Sequence, residues 1–303
     1  MKLRMGTRGS ALALAQSGQA ARALERLTPD LEVETVVITT SGDRFQSSGP
    51  GEERAIPGGA KGLFVKEIED ALLKGEIDFA VHSGKDLPAA IAEGTCIAAY
   101  PEREDPRDVF IGRPGLKWAG LGAAHKVGTT ALRRAIQLRR ARGAGTLPMR
   151  GNVDTRLRKL AEGACDGLLL AAAGLKRLGR LDPSYELVPA DVIVPAPAQG
   201  ALALQARVDR TDARRIVSTL DDPETRASVE CERAFMKAMS GGCATPLGAW
   251  ARRTNGEFAI SFFWSEEDGS RATSSECRMK SGATPDALAA AAAGAIKKGL
   301  AGR

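Results

Sequence analysis

Aromatic residues make up only 4% of this 303-residue chain: three Trp, two Tyr and eight Phe. That is too few, and too scattered, for the stacking platforms that hold single-stranded nucleic acid. No zinc finger, RNP-type motif or convincing helix-turn-helix is present either, so nucleic acid is not the expected partner. Histidine is scarcer still. His82 and His125 are the only two, and neither sits in a triad motif, so a protease-like or acyl-transfer dyad lacks its imidazole. Five cysteines, at 96, 165, 231, 243 and 277, have the spacing of neither a disulfide framework nor a metal site. Reduced thiols and no metal are expected. No run of about 18 apolar residues occurs, which excludes a helical membrane span. The first residues, "MKLRMGTRGS", lack the apolar core of a signal peptide, so a cytosolic protein is expected.

What the chain does have is positive charge. The formal net charge is +6, with 43% apolar and 26% charged residues, a globular composition that invites an anionic partner. With nucleic acid disfavoured, a small polyanionic substrate is the better expectation. The length allows two or three domains.

Along the first two thirds, strand-like and helix-like segments alternate, which argues for α/β sheets with parallel strands. "LRMGT" predicts a strand and "SALALAQSGQAARALERL" a helix starting near Ser10. "KGLFVKEIEDALLKG" aligns Phe64, Ile68 and Leu72 on one stripe and closes at Gly75. Strands are also predicted for "LEVETVVITT", "IDFAVHS", "CIAAY", "DVFIG", "HKVGTT" and "DGLLLAAAG". Helices are predicted for "ALRRAIQLRRA" and "DTRLRKLAEG", the latter capped by Asp154. The proline-bearing segments 101–108 and 194–200 read as linkers. The last third changes style. An amphipathic helix carries Ala227, Cys231, Ala234, Phe235 and Ala238 on one face. Strands joined at Asn255-Gly256 and Asp268-Gly269 follow, then an Ala-rich helix over about 285–300. No internal repeat is visible.

Three stretches carry chemistry. Four cysteines lie in apolar strand or helix patterns and read as small buried hydrophobes. Cys243 instead follows a glycine pair in "SGGCATPLGAW", where a structural turn and an accessible thiol are equally good readings. Between Arg133 and Lys159 stand nine basic residues against one acid, Asp154. A solvated basic face accounts for Arg139, Arg140, Arg142 and Arg158. It accounts less well for Arg133, Arg134, Arg150 and Arg156, which flank strand-to-helix junctions at the carboxyl edge of a parallel sheet, where ligands bind. Gly128, Thr129 and Thr130 supply amides and hydroxyls there, and guanidinium groups suit bidentate carboxylate recognition. Finally, "VHSGKDLP" ends a buried strand in Ser83, Lys85 and Asp86. That carboxylate is either an ordinary turn partner or a catalytic acid that stabilises a developing cation.

Taken together and in order, "TRGSALALAQ", "KGLFVKEIEDALL", "VHSGKDLP", "EREDPRDVF", "VGTTALRR", "RGNVDTRLRKL", "AAAGLKRLG", "PAPAQGALALQ" and "GGCATPLGA" resemble the porphobilinogen deaminase (hydroxymethylbilane synthase) family over essentially the whole chain. The resemblance implies an α/β protein of three domains. Two are periplasmic-binding-protein-like lobes with mainly parallel central sheets, over 1–101 with 200–218 and over 104–196. The third, 220–303, is a small α+β domain with a three-stranded antiparallel sheet. It implies a dipyrromethane cofactor bound through a thioether to Cys243. The implied reaction is head-to-tail condensation of four porphobilinogen units with loss of ammonia, in a cytoplasmic monomer with no nucleic-acid or membrane partner. Asp86 matches the catalytic aspartate. Ser83, Lys85, Asp86, Thr129, Thr130, Arg133, Arg134, Arg150 and Gly151 match cofactor-binding positions. Arg8, Ser10, Gln16, Lys61, Phe64, Arg150, Arg156, Arg177, Gln199 and Gly200 match substrate-binding ones. Three departures stand out: Ala131 where the family usually has serine, Gly84 where it usually has methionine, and a shifted spacing in "PGGAKGLF". The alternative reading, a non-catalytic two-lobed anion-binding protein, explains the arginines but not Cys243.

Overall fold

The computed structural model describes residues 1–42, 65–239, 245–280 and 282–301. By its contacts the chain forms two compact units: Met1–Glu104 with Ala201–Ala227, and Asp105–Gly200 with Ser228–Arg303.

Unit 1 contains β1 (Lys2–Thr7), α1 (Ala11–Leu27), β2 (Glu32–Val37), α2 (Lys66–Leu73), β3 (Phe79–Ser83) and β4 (Thr95–Ala99). After the passage through unit 2 it adds β10 (Leu202–Arg207) and α6 (Thr211–Val217). Ser10 caps α1 by accepting a hydrogen bond from the Ala13 amide, and Ala20, Ala21 and Leu24 are its buried face. In α2 the apolar stripe Ile68, Ala71 and Leu72 is buried, and the chain leaves the helix through Gly75 at φ 72°. The sheet order is β2-β1-β3-β10-β4, with β1 parallel to β2 and β3 and with β10 antiparallel to β3 and β4. Leu3, Met5, Leu24, Phe79 and Leu204 fill one side of the sheet; Ile68, Leu72 and Ile77 fill the other. Fully burying each such side chain contributes roughly 1.5–3 kcal/mol.

Unit 2 contains β5 (Asp108–Gly112), β6 (Lys126–Gly128), α3 (Leu132–Arg142), β7 (Gly145–Leu147), α4 (Val153–Ala161), β8 (Gly167–Ala171), α5 (Ala172–Arg177) and β9 (Glu186–Leu187). It also holds α7 (Pro223–Ala238) from Ser228 onward, β11 (Leu247–Thr254), β12 (Glu257–Trp264), β13 (Thr273–Lys280) and α8 (Pro285–Ala301). Its larger sheet has the order β7-β6-β8-β5-β9, with β6 parallel to β7 and β8 and with β5 antiparallel to β8 and β9. Counted in each unit's own strands, the orders are 2-1-3-5-4 and 3-2-4-1-5; they coincide once the antiparallel strand, last in the chain order of unit 1 and first in that of unit 2, is set aside. The topology is therefore repeated although the sequence shows no repeat. Both sheets mix directions, because one antiparallel strand is inserted between the third and the fourth of four strands that share a direction. β11, β12 and β13 form the antiparallel three-stranded sheet.

Several local expectations are corrected. Asn152, not Asp154, caps α4: its side chain accepts from the Thr155 amide, while Asp154 sits in the first turn and pairs with Arg180. Asn255 and Gly256 (φ 49° and 76°) make the tight hairpin turn. Asp268-Gly269 does not; it lies inside a longer connection between β12 and β13, where Asp268 accepts from the Ser270 amide. On α7 the fully buried positions include Cys231, Glu232 and Phe235, whereas Ala227, Ala234 and Ala238 are half-buried, so the face is rotated from the predicted one. Cys165 and Cys231 are buried as expected, but Cys96 and Cys277 are only half-buried. Among the described residues no helix is long and apolar enough to cross a membrane.

Candidate active site

In unit 1 the candidate residues gather at the carboxyl ends of β1 and β3, which are neighbours in the sheet. β1 delivers Arg8 and Ser10. Ser10 spends its oxygen on the α1 cap and keeps its hydroxyl proton as a donor, while Arg8 is half-buried with partners of its own. Gln16 is buried on α1. β3 delivers Ser83 and then a single 3₁₀ turn, Gly84–Asp86. Because β10 runs antiparallel, its start reaches this same edge, and the Ala201 carbonyl accepts from the Gly84 amide at 2.9 Å. The Leu87 amide closes the turn onto the Gly84 carbonyl. Ser83, Lys85 and Asp86 are half-buried. Asp86 makes no hydrogen bond or ion pair among the described residues, so the turn is held by backbone and its carboxylate is uncommitted.

His82, just behind this turn, was passed over in the sequence for want of a motif. It is 5% exposed, and its Nε2 has no hydrogen-bond partner among the described residues. Across β10 from it, Gln205 donates from Nε2 to Glu69 Oε1 (2.8 Å) and Thr95 Oγ1 (2.7 Å). Burial pushes the His82 imidazole down to about 4, against the opposing influence of Gln205 and of the Asp86 charge. The ring is therefore neutral at pH 7. Since the folded state binds this proton less readily than the unfolded chain, stability falls as pH drops from about 6.5 toward 4, by on the order of 3 kcal/mol at full effect. Chemical denaturation of wild type and His82→Gln across that window checks this. The variant should show the flatter profile, and equal slopes would refute the assignment.

In unit 2 the site is built around a residue that the sequence reading left in a charged linker. Asp108 opens β5, and because β5 is antiparallel to β8 (Asp108 opposite Ala171), it sits where β8 ends. It is completely buried. From the first turn of α3, Arg133 and Arg134 turn inward onto it, 6% and 7% exposed. Arg133 Nη2 donates to Asp108 Oδ2 at 2.8 Å, and Arg134 Nη2 donates to Oδ1 at 2.7 Å. Gln199 Nε2 donates to the same Oδ1 at 2.8 Å and to the Pro106 carbonyl at 2.7 Å. Arg133 also donates to the Val194 carbonyl.

One carboxylate does not balance what surrounds it. Burial and the like charge of Arg134 both hold Arg133 below the usual guanidinium range, though Asp108 opposes them. Arg156, half-buried on α4, is pushed down to about 10 by burial and then by the Arg134 charge. It donates from Nε to the Gly151 carbonyl at 2.8 Å and has no acidic partner among the described residues. Gly151 is itself required: its φ is 114°, and an added Cβ would stand 2.7 Å from Thr155 Cγ2. Arg150, after β7, is exposed. Thr129 is buried and its Oγ1 accepts from the Ala131 amide (3.2 Å), while Thr130 is exposed. Ala131 begins α3 with no side-chain cap, the structural counterpart of the missing serine. Arg177, from α5, donates to the Gly200 carbonyl at 2.7 Å. Lys61, Phe64 and Cys243 lie outside the described residues.

Each unit thus presents its candidate residues at the carboxyl ends of parallel strands, and unit 2 sets two guanidinium groups on one buried carboxylate, with a third, Arg156, near enough to feel the Arg134 charge. Fold and charge define an α/β protein built to bind a small polycarboxylate. A family model described as porphobilinogen deaminase, dipyromethane cofactor binding domain, matches residues 3–215, and one for the porphobilinogen deaminase C-terminal domain matches residues 227–298. Porphobilinogen deaminase of Sorangium cellulosum is 46% identical over 280 residues, covering 92% of this chain and 91% of its own. Porphobilinogen deaminase 1 of Streptomyces coelicolor is 48% identical over 254 residues, 82% of this chain and 77% of its own. Among solved structures, the L-cystine solute receptor of Neisseria gonorrhoeae aligns with 79% of this chain and 88% of its own, at 15% identity and a TM-score of 0.40. The chain belongs to the porphobilinogen deaminase family.

Proposed function

We propose that this chain condenses four porphobilinogen molecules head to tail, releasing ammonia at each step and finally freeing hydroxymethylbilane by hydrolysis. The observation that carries this is the excess of guanidinium over carboxylate around Asp108. Every pyrrole unit of the substrate and of the dipyrromethane carries an acetate and a propionate, and a ligand carboxylate offsets the burial and, after it, the Arg134 charge that lower Arg156 and Arg133. The residues therefore fit a polycarboxylate cofactor, with Arg133, Arg134, Arg150, Arg156 and Thr129 as its anion-binding set. When bound, the dipyrromethane supplies the nucleophilic pyrrole carbon to which the first substrate is joined.

Asp86 does the complementary work. Loss of ammonia from an aminomethylpyrrole leaves positive charge shared with the ring nitrogen. A half-buried carboxylate with no partner among the described residues stabilises that charge with little reorganisation and accepts a hydrogen bond from the pyrrole N–H. Lys85, Arg8 and Ser10 stand at the same sheet edge and are the proposed contacts for substrate carboxylates.

Cys243 is the proposed attachment point, since a thioether resists hydrolysis and makes a durable primer. In this proposal β11–β13 with α7 and α8 form a third domain over 220–303, supported by the separate family model for residues 227–298. The other two are 1–101 with 200–218 and 104–196, and the enzyme is a cytoplasmic monomer. Intact-mass measurement of the active protein should show an adduct of two linked pyrroles that disappears in Cys243→Ala. An unmodified Cys243 in protein that turns over porphobilinogen would overturn the attachment.

A further inference from the structure

Glu232 is fully buried on α7, at a position outside the apolar face that sequence periodicity predicts. Its carboxylate is divided between two backbone amides: Oε2 accepts from Ala198 at 2.6 Å and Oε1 accepts from Ala251, in β11, at 2.8 Å. Ala198 is conformationally unusual. Its φ of 57° lies in the left-handed region, and among the described non-glycine residues only Asp30 and Asn255 share that sign. Those two are of the types that tolerate it, whereas an alanine there must be held by its surroundings.

The segment around Ala198 is gripped from the same elements. The Ala249 amide of β11 donates to the Pro195 carbonyl at 2.8 Å. Gly248 lies so close that an added Cβ would meet the Val194 carbonyl oxygen at 2.8 Å. The residue after Ala198 is Gln199, whose side chain reaches both Asp108 and the Pro106 carbonyl. A change of φ at Ala198 swings Gln199 away from Asp108, and with it one of the bonds that set the guanidinium pair.

We infer that Glu232 is a positioning residue for substrate binding: by holding the Ala198 amide it maintains the left-handed turn that aims Gln199 at Asp108 and so fixes Arg133 and Arg134. This rests on the proposed assignment of that arginine pair to the carboxylates of the dipyrromethane, the acceptor to which the substrate is joined. The helix that precedes Cys243 in the sequence, and the strand that follows it, would then also control the geometry of the anion site.

The test uses the full-length enzyme as wild type, Glu232→Gln, Ala198→Gly and the double variant, with steady-state kinetics on porphobilinogen and a melting curve for each. Glu232→Gln keeps the shape but turns an N–H toward one of the two donors. Its KM should rise about 5- to 30-fold, the range set by the cost of a left-handed alanine, with a smaller change in kcat. Glycine adopts this φ without that cost, so Ala198→Gly alone should stay within about 2-fold of wild type, and it should restore most of the KM in the double variant. An acid needed only for packing would lower the melting temperature and show no rescue. A KM for Glu232→Gln within about 2-fold of wild type, or a raised KM that glycine leaves unchanged, overturns the inference. Should Glu232→Gln fail to fold alone, the double variant decides: a KM near that of Ala198→Gly supports it, and a high one overturns it. A wild type that does not consume porphobilinogen defeats the functional assignment itself, a result distinct from an active wild type whose Glu232→Gln variant is unaffected.

Discussion

Asp86→Ala lowers kcat by about 100- to 10,000-fold, the range for losing a positioned acid–base or charge-stabilising group. Stability stays within about 0.5 kcal/mol of wild type. The two halves of this expectation have separate structural causes. The turn that carries Asp86 is closed by backbone bonds from Gly84 to Ala201 and from Leu87 to Gly84, so the side chain is dispensable to the fold. Because its carboxylate has no hydrogen bond or ion pair among the described residues, its charge is available to a ligand. Asp86→Asn sharpens the test, since it keeps the shape and a hydrogen-bonding oxygen but removes the charge. It should fall nearly as far as alanine. Single-turnover release of ammonia measures the step directly, and near-normal rates in Asp86→Ala would refute the role.

Asp108→Ala has the largest expected effect on stability, a loss of about 3–5 kcal/mol, because it leaves two buried guanidinium groups without their counter-ion. Burial alone would raise the Asp108 carboxyl, but the charges of Arg133 and Arg134, with hydrogen bonds from Arg134 and Gln199, hold it well below the usual carboxylate range. The folded state therefore keeps it ionised. The stability this contributes is fully present above the unfolded-chain value of about 3.9 and is lost as pH falls below it. Wild type should lose this component below about pH 4, a window lower than the one assigned to His82. Asp108→Asn should be less stable at neutral pH and lack that acid-dependent loss. Denaturation midpoints at pH 7 and pH 3 check both. A cost below about 1 kcal/mol in both variants would show that the pair is not held by this charge.

Much of this was legible in the sequence for identifiable reasons. Ser10 before an alanine-rich run, the stripe of Ile68 and Leu72, and Asn255-Gly256 all encode their structure within a few residues, where capping, periodicity and turn chemistry act. What stayed hidden depends on partners far along the chain. Asp108 reads as the last charge of a polar segment, and only the antiparallel insertion of β5 beside β8 buries it under α3. Arg133 and Arg134 are buried while Arg139 and Arg140 are exposed, as the spacing suggests, but Arg150 is exposed and Arg142 is half-buried over Trp118; the first partner of the buried pair is the protein's own acid, which no spacing rule supplies. Glu232 lies outside the apolar stripe that periodicity predicts for α7, and the two amides it accepts from are 34 and 19 residues away. Asn152 outcompetes Asp154 as the α4 cap because its extended backbone presents the side chain to the Thr155 amide.

The place of β10 in its sheet sets an order of events during synthesis. β3 and β4 do not pair with each other; β10 lies between them and bonds to both. Until residues 202–207 leave the ribosome, β3 keeps an open edge and β4 has no neighbour at all. The sheet of β5–β9, by contrast, is complete by Leu187 from one unbroken stretch of chain. The sheet encoded second is therefore the first that can close. The N-terminal segment has to wait, with unsatisfied strand edges of the kind that recruit chaperones or other chains.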